Sequence, residues 1–105
     1  MIARHWRGWT KKRDAAAFEQ LLTEKVLPDL KKVEGYRGGY VLRNDAAEEV
    51  EFVVVNLFDS LDAVRRFAGP NYSTPVLKPG VRPLLFRFET VANHYEIRVD
   101  TVGRD

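Results

Sequence analysis

A single amide interrupts one of the most apolar stretches of this chain. In EFVVVNLF, residues 51–58, strand alternation puts Asn56 on the same side as Phe52, Val54 and Phe58. A buried amide in that company must find hydrogen-bond partners, supplied by a ligand, an ordered water or a neighbouring side chain. Asn56 is therefore either a pocket residue or one end of a structural hydrogen bond. His94, in VANHYEIRVD (91–100), is the second candidate. A neutral imidazole can act as a base near neutral pH, and Glu96, two residues on along the same strand face, offers a carboxylate to hold it. The alternative is a satisfied polar residue at a sheet rim or subunit seam. His5, the only other histidine, has the same two readings, and should the two strands be neighbours the two rings can approach one another.

Arg4, Arg7, Arg37 and Arg43 read most simply as solvated or salt-bridged strand residues, one of which could bind an anionic substrate. Trp6, Tyr40, Tyr72 and Phe58 complete the aromatic groups able to line a pocket, although aromatic residues on strands more often build core. The chain has no cysteine, which removes disulfides, thiolate catalysis and zinc–cysteine sites. Neither histidine sits in an HxxxH or HxxE spacing, so no metal is expected.

These residues are positioned by elements that the pattern makes readable. IARHWRGW (2–9) alternates, with Ile2, Arg4 and Trp6 on one face and Ala3, His5, Arg7 and Trp9 on the other. Bulk on both faces predicts an interior strand. Residues 10–35 change period. Phe18, Leu21, Leu22, Val26 and Leu30 form a helical stripe, Thr10 or Asp14 is available as cap, Pro28 predicts a kink or restart, and Gly35 ends the segment. GYRGGYVLRND and EEVEFVVVNLFDS are two strands joined by a short polar turn, hence an antiparallel hairpin. DSLDAVRRFAGP is a compact helix capped by Asp59 or Ser60 and stopped by Gly69 and Pro70. Residues 71–83 contain three prolines and no period; a loop of that length often shapes a site. Residues 84–99 read as one long final strand.

The 105 residues suit one domain, 1–105. Hydrophobic residues make up 45% and charged residues 30%, a globular balance. Seventeen basic and fifteen acidic residues are interspersed, giving +2, and no basic stripe points to nucleic acid. No run approaches the roughly 18 apolar residues of a membrane span, and no targeting segment is recognised, so a cytoplasmic location is the expectation.

The order β-α-β-β-α-β predicts an α+β, ferredoxin-like antiparallel sheet with both helices on one face. The strands are apolar on both parities. The Val53–Val55–Leu57 side is assigned to the helices, which leaves Phe52, Val54 and Phe58 to be covered otherwise. A soluble monomer rarely exposes such a patch, so a second copy is expected to pack sheet against sheet, giving a homodimeric α/β barrel with a pocket between the sheets.

MIARHWRG, LPDLKKVEGYRGGYVLR and EFVVVNLFDSLDAVRRFAG together resemble the antibiotic biosynthesis monooxygenase-like family of dimeric α/β barrels, over about residues 1–99. The resemblance implies a small cofactor-independent oxidoreductase acting on an aromatic or polyketide-like molecule in a pocket between sheet and helices. Asn56 and His94 would be catalytic, and Trp6, Tyr40, Phe58, Arg4 and Tyr72 would bind substrate. Haem-degrading relatives carry a tryptophan on the second helix and a histidine about ten residues later. Those positions are Phe67 and a residue near Leu77 here, so neither matches and no cofactor is expected. The rival reading is a non-enzymatic, small-ligand-binding or stress-related barrel. Light scattering at micromolar concentration is expected to give the mass of a dimer; a monomer would remove the barrel argument.

Overall fold

The first strand sets the frame, because its two faces differ so sharply in what they can bury. A computed structural model describes residues 1–102. Strand β1 (Ile2–Lys11) buries Arg4, Trp6, Gly8 and Thr10, while His5, Arg7 and Trp9 alternate with them on the other face, only partly covered. It is interior, as bulk on both faces predicted. It pairs antiparallel with β3 (Glu49–Phe58) on one side, and on the other with β4 (Leu85–Phe88) and β5 (Asn93–Glu96). Strand β2 (Tyr36–Asp45) pairs with β3 to give the order β2-β3-β1-β4, with β5 also on β1. The α+β architecture is the ferredoxin-like one read from the sequence.

Between β1 and β2 the chain is helical. It enters by a short 3₁₀ turn, Lys12–Asp14, and neither Thr10 nor Asp14 caps it: Thr10 is buried within β1 and Asp14 makes no capping bond. Helix α1 (Ala15–Leu21) passes through a π-helical turn, Leu22–Val26, into α2 (Leu27–Lys31). The Leu27 N–H donates to the Leu22 carbonyl, five residues back. Pro28 explains the irregularity, since it has no N–H to give to the Glu24 carbonyl and its ring crowds the preceding turn. The restart expected at Pro28 takes this form. Helix α3 (Leu61–Ala68) is capped by Ser60, whose Oγ accepts from the Ala63 N–H at 3.2 Å, and ends at Gly69 with φ 84°. Both helical segments lie on the Arg4–Trp6 side of the sheet.

Two expectations are corrected. The face of β3 that meets the helices is Val50, Phe52, Val54, Asn56 and Phe58, and Val53 and Val55 lie on the open side. Both parities are apolar, so composition alone did not choose between them. The register does, by setting Arg4 opposite Asn56 and Trp6 opposite Val54. The final strand is also two short ones. β1 carries a bulge between Trp9 and Thr10 where it meets β4. The Glu89 N–H still donates to the Arg7 carbonyl at 2.9 Å, but residues 90–92 leave the ladder; the Glu89 carbonyl accepts from Trp6 Nε1 at 2.7 Å and the Ala92 N–H donates to Ser73 O at 2.7 Å. Side-chain and loop bonds thus replace strand pairing.

The core divides into two clusters. One gathers Trp6, Phe18, Leu22, Phe52, Val81 and Leu85; the other gathers Leu30, Phe58, Ala63 and Val64. Phe18 and Phe52 sit with ring centres 4.8 Å apart and neither is exposed at all. Phe52→Ala is expected to cost about 3–5 kcal/mol, by lost transfer energy and the cavity left behind. Urea unfolding measures this; a loss under about 1 kcal/mol would contradict the placement of Phe52 at the centre of the first cluster.

Candidate functional site

Asn56 lies on β3 between Val54, which packs on the first cluster, and Phe58, which belongs to the second. The core fails to close at this seam. A polar side chain cannot be covered by apolar neighbours without a partner, so close packing stops around it. Two adjoining cavities share Leu22, Val26, Val54 and Asn56 as walls. The smaller, about 60 Å³, is completed by Arg4, Trp6, Phe18, Phe67, Leu77 and Val81. The larger, about 180 Å³, is completed by Leu27, Leu30, Tyr36, Gly39, Tyr40 and Val41. Both lie between the sheet and the helices.

Local structure holds this space open from two sides. Above, Leu22 and Val26 belong to the π turn, whose extra residue widens the helix over the cavity. Below, Gly39 pairs with Asn56 across β2 and β3. A Cβ at Gly39 would collide with the Val55 carbonyl and sit 2.5 Å from Asn56 Oδ1, so only glycine fits beside the amide. The Tyr36 hydroxyl donates to Asn56 Oδ1 at 3.3 Å. Burial raises the Tyr36 pKa, so this phenol remains a neutral donor. The bond to Tyr36 is the only one the Asn56 side chain makes among the described residues, which leaves its NH₂ group to the cavity.

Arg4 is the other polar wall, at 5% exposure. One of its nitrogens, Nη1, donates to the Tyr72 carbonyl and lies 3.0 Å from His94 Nε2; Nη2 donates to the Thr74 carbonyl at 3.1 Å. Its guanidinium carbon sits 5.7 Å from the centre of the Phe67 ring. Arg4 thereby ties β1 to the loop after α3 and to β5. Burial lowers its pKa to about 10, so it is charged at neutral pH but poorly solvated.

His94 pairs with Arg4 in the ladder and so shares the helix-facing side of the sheet. Its ring packs edge-on against Tyr72 at 5.1 Å. Its pKa is below the usual 6.5, first because it is desolvated and second because Arg4 repels a second positive charge. A neutral His94 can offer Nε2 as acceptor to Arg4. Glu96 does not hold it: Glu96 pairs with Arg98, 3.9 Å away on the surface. His5 pairs with Asn93 and faces the opposite side, where its ring meets Tyr95, so the two histidines do not approach.

Of the residues singled out from sequence, Asn56, Arg4 and Trp6 line the cavities and Tyr40 borders the larger one from the strand edge. His94 and Tyr72 stand behind Arg4 and border neither cavity. Phe58, fully buried, packs between Tyr36 and Phe67 in the second cluster instead of on a cavity wall. Sequence reasoning missed Tyr36, Gly39, Val26 and Phe67. The signal for Tyr36 and Gly39 was the GYRGGY run opposite Asn56, but hairpin register was needed to use it. Phe67, where the family resemblance would place a tryptophan, and Leu77, near where it would place a haem-ligating histidine, both line the smaller cavity. Neither side chain offers a ligand atom to a haem iron, and the His94 Nε2 lies against Arg4. Among the described residues no cluster of three or more His, Asp or Glu is placed to hold a metal ion, and no helix is long and apolar enough to cross a membrane.

No protein-family model matches the chain, and no curated protein matches it. Solved structures do. A Bacillus cereus protein assigned as an antibiotic biosynthesis monooxygenase superposes with a TM-score of 0.69 at 15% identity, over 100% of this chain and 98% of its own. The haem-degrader MhuD of Mycobacterium tuberculosis gives 0.64 at 17% identity, over 98% and 100%. SnoaB, a cofactor-independent oxygenase from Streptomyces nogalater, gives 0.63 at 17% identity, over 95% and 96%. The chain has the fold of the antibiotic biosynthesis monooxygenase-like proteins.

The lowered pKa of His94 has a consequence for stability. The unfolded chain takes up this proton near pH 6.5 and the folded chain only at lower pH, so the unfolded state binds more protons in between. The contribution is fully present above pH 6.5 and is lost as the pH falls from there through the folded value. His94→Gln is expected to flatten that part of the stability–pH curve, with an NMR titration of wild-type His94 giving a midpoint below 6.5. A midpoint at or above 6.5 would contradict the desolvated contact with Arg4.

Proposed function

We propose that the protein is a small monooxygenase-like oxidoreductase that works without a tightly bound cofactor on an aromatic compound, in the double cavity around Asn56. The observation carrying this reading is the presence of an amide and a buried guanidinium on the walls of a mostly apolar space. The fold shared with SnoaB and with the Bacillus cereus protein agrees with it.

The chemistry follows from what those groups can stabilise. An ionised phenol or enol is electron-rich at the carbon conjugated with its oxygen. That carbon transfers an electron to O₂ and then bonds to it, giving a hydroperoxide after protonation. Where the carbon began as CH₂, loss of water leaves a ketone, so that CH₂ plus O₂ gives C=O plus H₂O. The protein has to hold the anion and exclude competing water. Asn56 and Arg4 do the first, and Phe18, Leu22, Val26, Val54 and Leu77 the second. None of the cavity-lining residues is a carboxylate or histidine. The substrate proton therefore leaves to solvent, under the pull of Arg4. His94 serves as a positioning residue for Arg4 in place of the general base first expected.

A second copy completes the assembly in this reading. The open side of the sheet presents Tyr40, Leu42 and Tyr95, each about half exposed, beside Val53 and Val55. An apolar sheet face of that kind is suited to a like face, sheet on sheet. Its burial would leave the cavities on the helix side unobstructed.

Asn56→Ala should lower oxygen consumption with a quinol or anthrone-type substrate by about 10²–10³-fold, the usual cost of removing one oxyanion donor. Tyr36→Phe, which frees Oδ1 without removing the amide, should cost much less. Equal turnover in wild type and Asn56→Ala would remove Asn56 from the reaction. Binding of aromatic ligands with no oxygen uptake for any of them would favour the non-enzymatic alternative.

A further inference from the structure

Arg4 is the one buried arginine among the described residues. Arg7, Arg37, Arg43, Arg65 and Arg87 each have a carboxylate partner, and all are more exposed than Arg4. Arg4 is buried and has no carboxylate within ion-pair distance among the described residues. Its partners are the Tyr72 and Thr74 carbonyls and the His94 ring, none of which carries a negative charge at neutral pH. Two further features bear on what could complement it. Its Nε–H has no acceptor among the described residues. The side chain borders the smaller cavity, whose other walls, Asn56 apart, are apolar or aromatic. A buried charge is costly unless it is paired, so a group of opposite sign entering here would be bound strongly.

We infer that the double cavity takes a single-ring aromatic anion, its ring in the larger chamber and its charged oxygen group in the smaller one against Arg4. This deepens the reading above and rests on it. The dimensions fit the assignment. A cavity of about 150 Å³ accommodates benzene, and the larger chamber holds about 180 Å³. The smaller holds about 60 Å³, the room of about two waters at ~30 Å³ each, or one carboxylate. Asn56 stands on the wall common to both, where its amide can donate to the same oxygen group. The shared chemistry is one negatively charged oxygen conjugated to a ring, and it can come from a benzoate or from an ionised phenol. With an ionised phenol, though not with a benzoate, the same selection supplies the electron-rich substrate form that oxygen chemistry needs, since this site has no base of its own to generate it.

Calorimetric titration of the full chain at pH 7 with benzoate and with its neutral ester, methyl benzoate, tests the inference. Benzoate should bind at least tenfold more tightly, as expected for a charge-assisted bond to a buried guanidinium. The preference should survive in Arg4→Lys and vanish in Arg4→Met. Arg4 also fastens the loop at Tyr72 and Thr74, so Arg4→Met could fail to fold, and the wild-type contrast then decides alone. 4-Nitrophenol provides the second source of the same charge. Binding as the yellow phenolate below the pH at which it ionises in water supports an ionised phenol as ligand, and tenfold preference for benzoate supports a carboxylate. Equal or tighter binding of the ester, with 4-nitrophenol bound in its colourless form, overturns the anion assignment while leaving the pocket as a ligand site. Binding of none of the three overturns the pocket reading itself.

Discussion

The buried guanidinium of Arg4 is the interaction on which the arrangement of the site depends. A charge on a central strand, facing the core, has to be hydrogen-bonded on several sides or it destabilises the fold. The chain meets this by folding the loop after α3 back over β1, so that the Tyr72 and Thr74 carbonyls accept from Arg4, and by pairing β5 so that His94 stands next to it. Phe67, at the end of α3, lies against the guanidinium face. One side chain thus fixes the mutual position of β1, β5, α3 and the long loop. That loop in turn supplies Leu77 and Val81 to the roof of the smaller cavity. The Lys78–Asp29 ion pair fastens the same loop to α2.

The second constraint is that the core must stop somewhere for a cavity to exist. Protein interiors pack like organic crystals, and a space of about 180 Å³ does not persist beside flexible apolar chains unless something holds it open. Here three local features coincide. Asn56 cannot be sealed in by apolar groups, Gly39 contributes no side chain opposite it, and Pro28 forces a π turn into the helix above. Each is modest alone. Together they separate the Phe18–Phe52 cluster from the Leu30–Phe58 cluster and leave an apolar chamber with polar groups at one edge.

How much of this was legible in the sequence differs by level. Element order and class followed from periodicity, because the change from alternation to a three-to-four repeat at residues 10–35 is strong and the polar break at 45–49 allows only a hairpin. β1 was identified as interior from the bulk on both its faces. Asn56 stood out for a sound physical reason, an amide in an apolar row. What failed was the choice of face: Phe52–Val54 and Val53–Val55 are equally apolar, and a period of two says that faces differ without saying which is buried. Break-up of the last strand was hidden for a similar reason. Alternation continues through residues 85–99, whereas the ladder is interrupted by bonds from Trp6 to Glu89 and from Ala92 to Ser73, distant in sequence. Glu96 looked like a partner for His94 by spacing, but Arg98 lay within its reach and Arg4 within that of His94. Long-range partners of polar groups are the part that local pattern does not encode.

In the proposed function, ligands enter between the sheet and the helices, at Asn56 and Arg4, and not on the open side of the sheet. NMR of the ¹⁵N-labelled protein during a titration with benzoate addresses it directly, through the Asn56 side-chain NH₂, the Arg4 Nε–H and the valine amides of β3. Saturable shifts are expected at the Asn56 and Arg4 side chains and at Val54 and Val26, with Val53, Val55 and His5 nearly still. Shifts concentrated at Val53, Val55, His5 and Tyr95, with Asn56 and Arg4 unmoved, would contradict it.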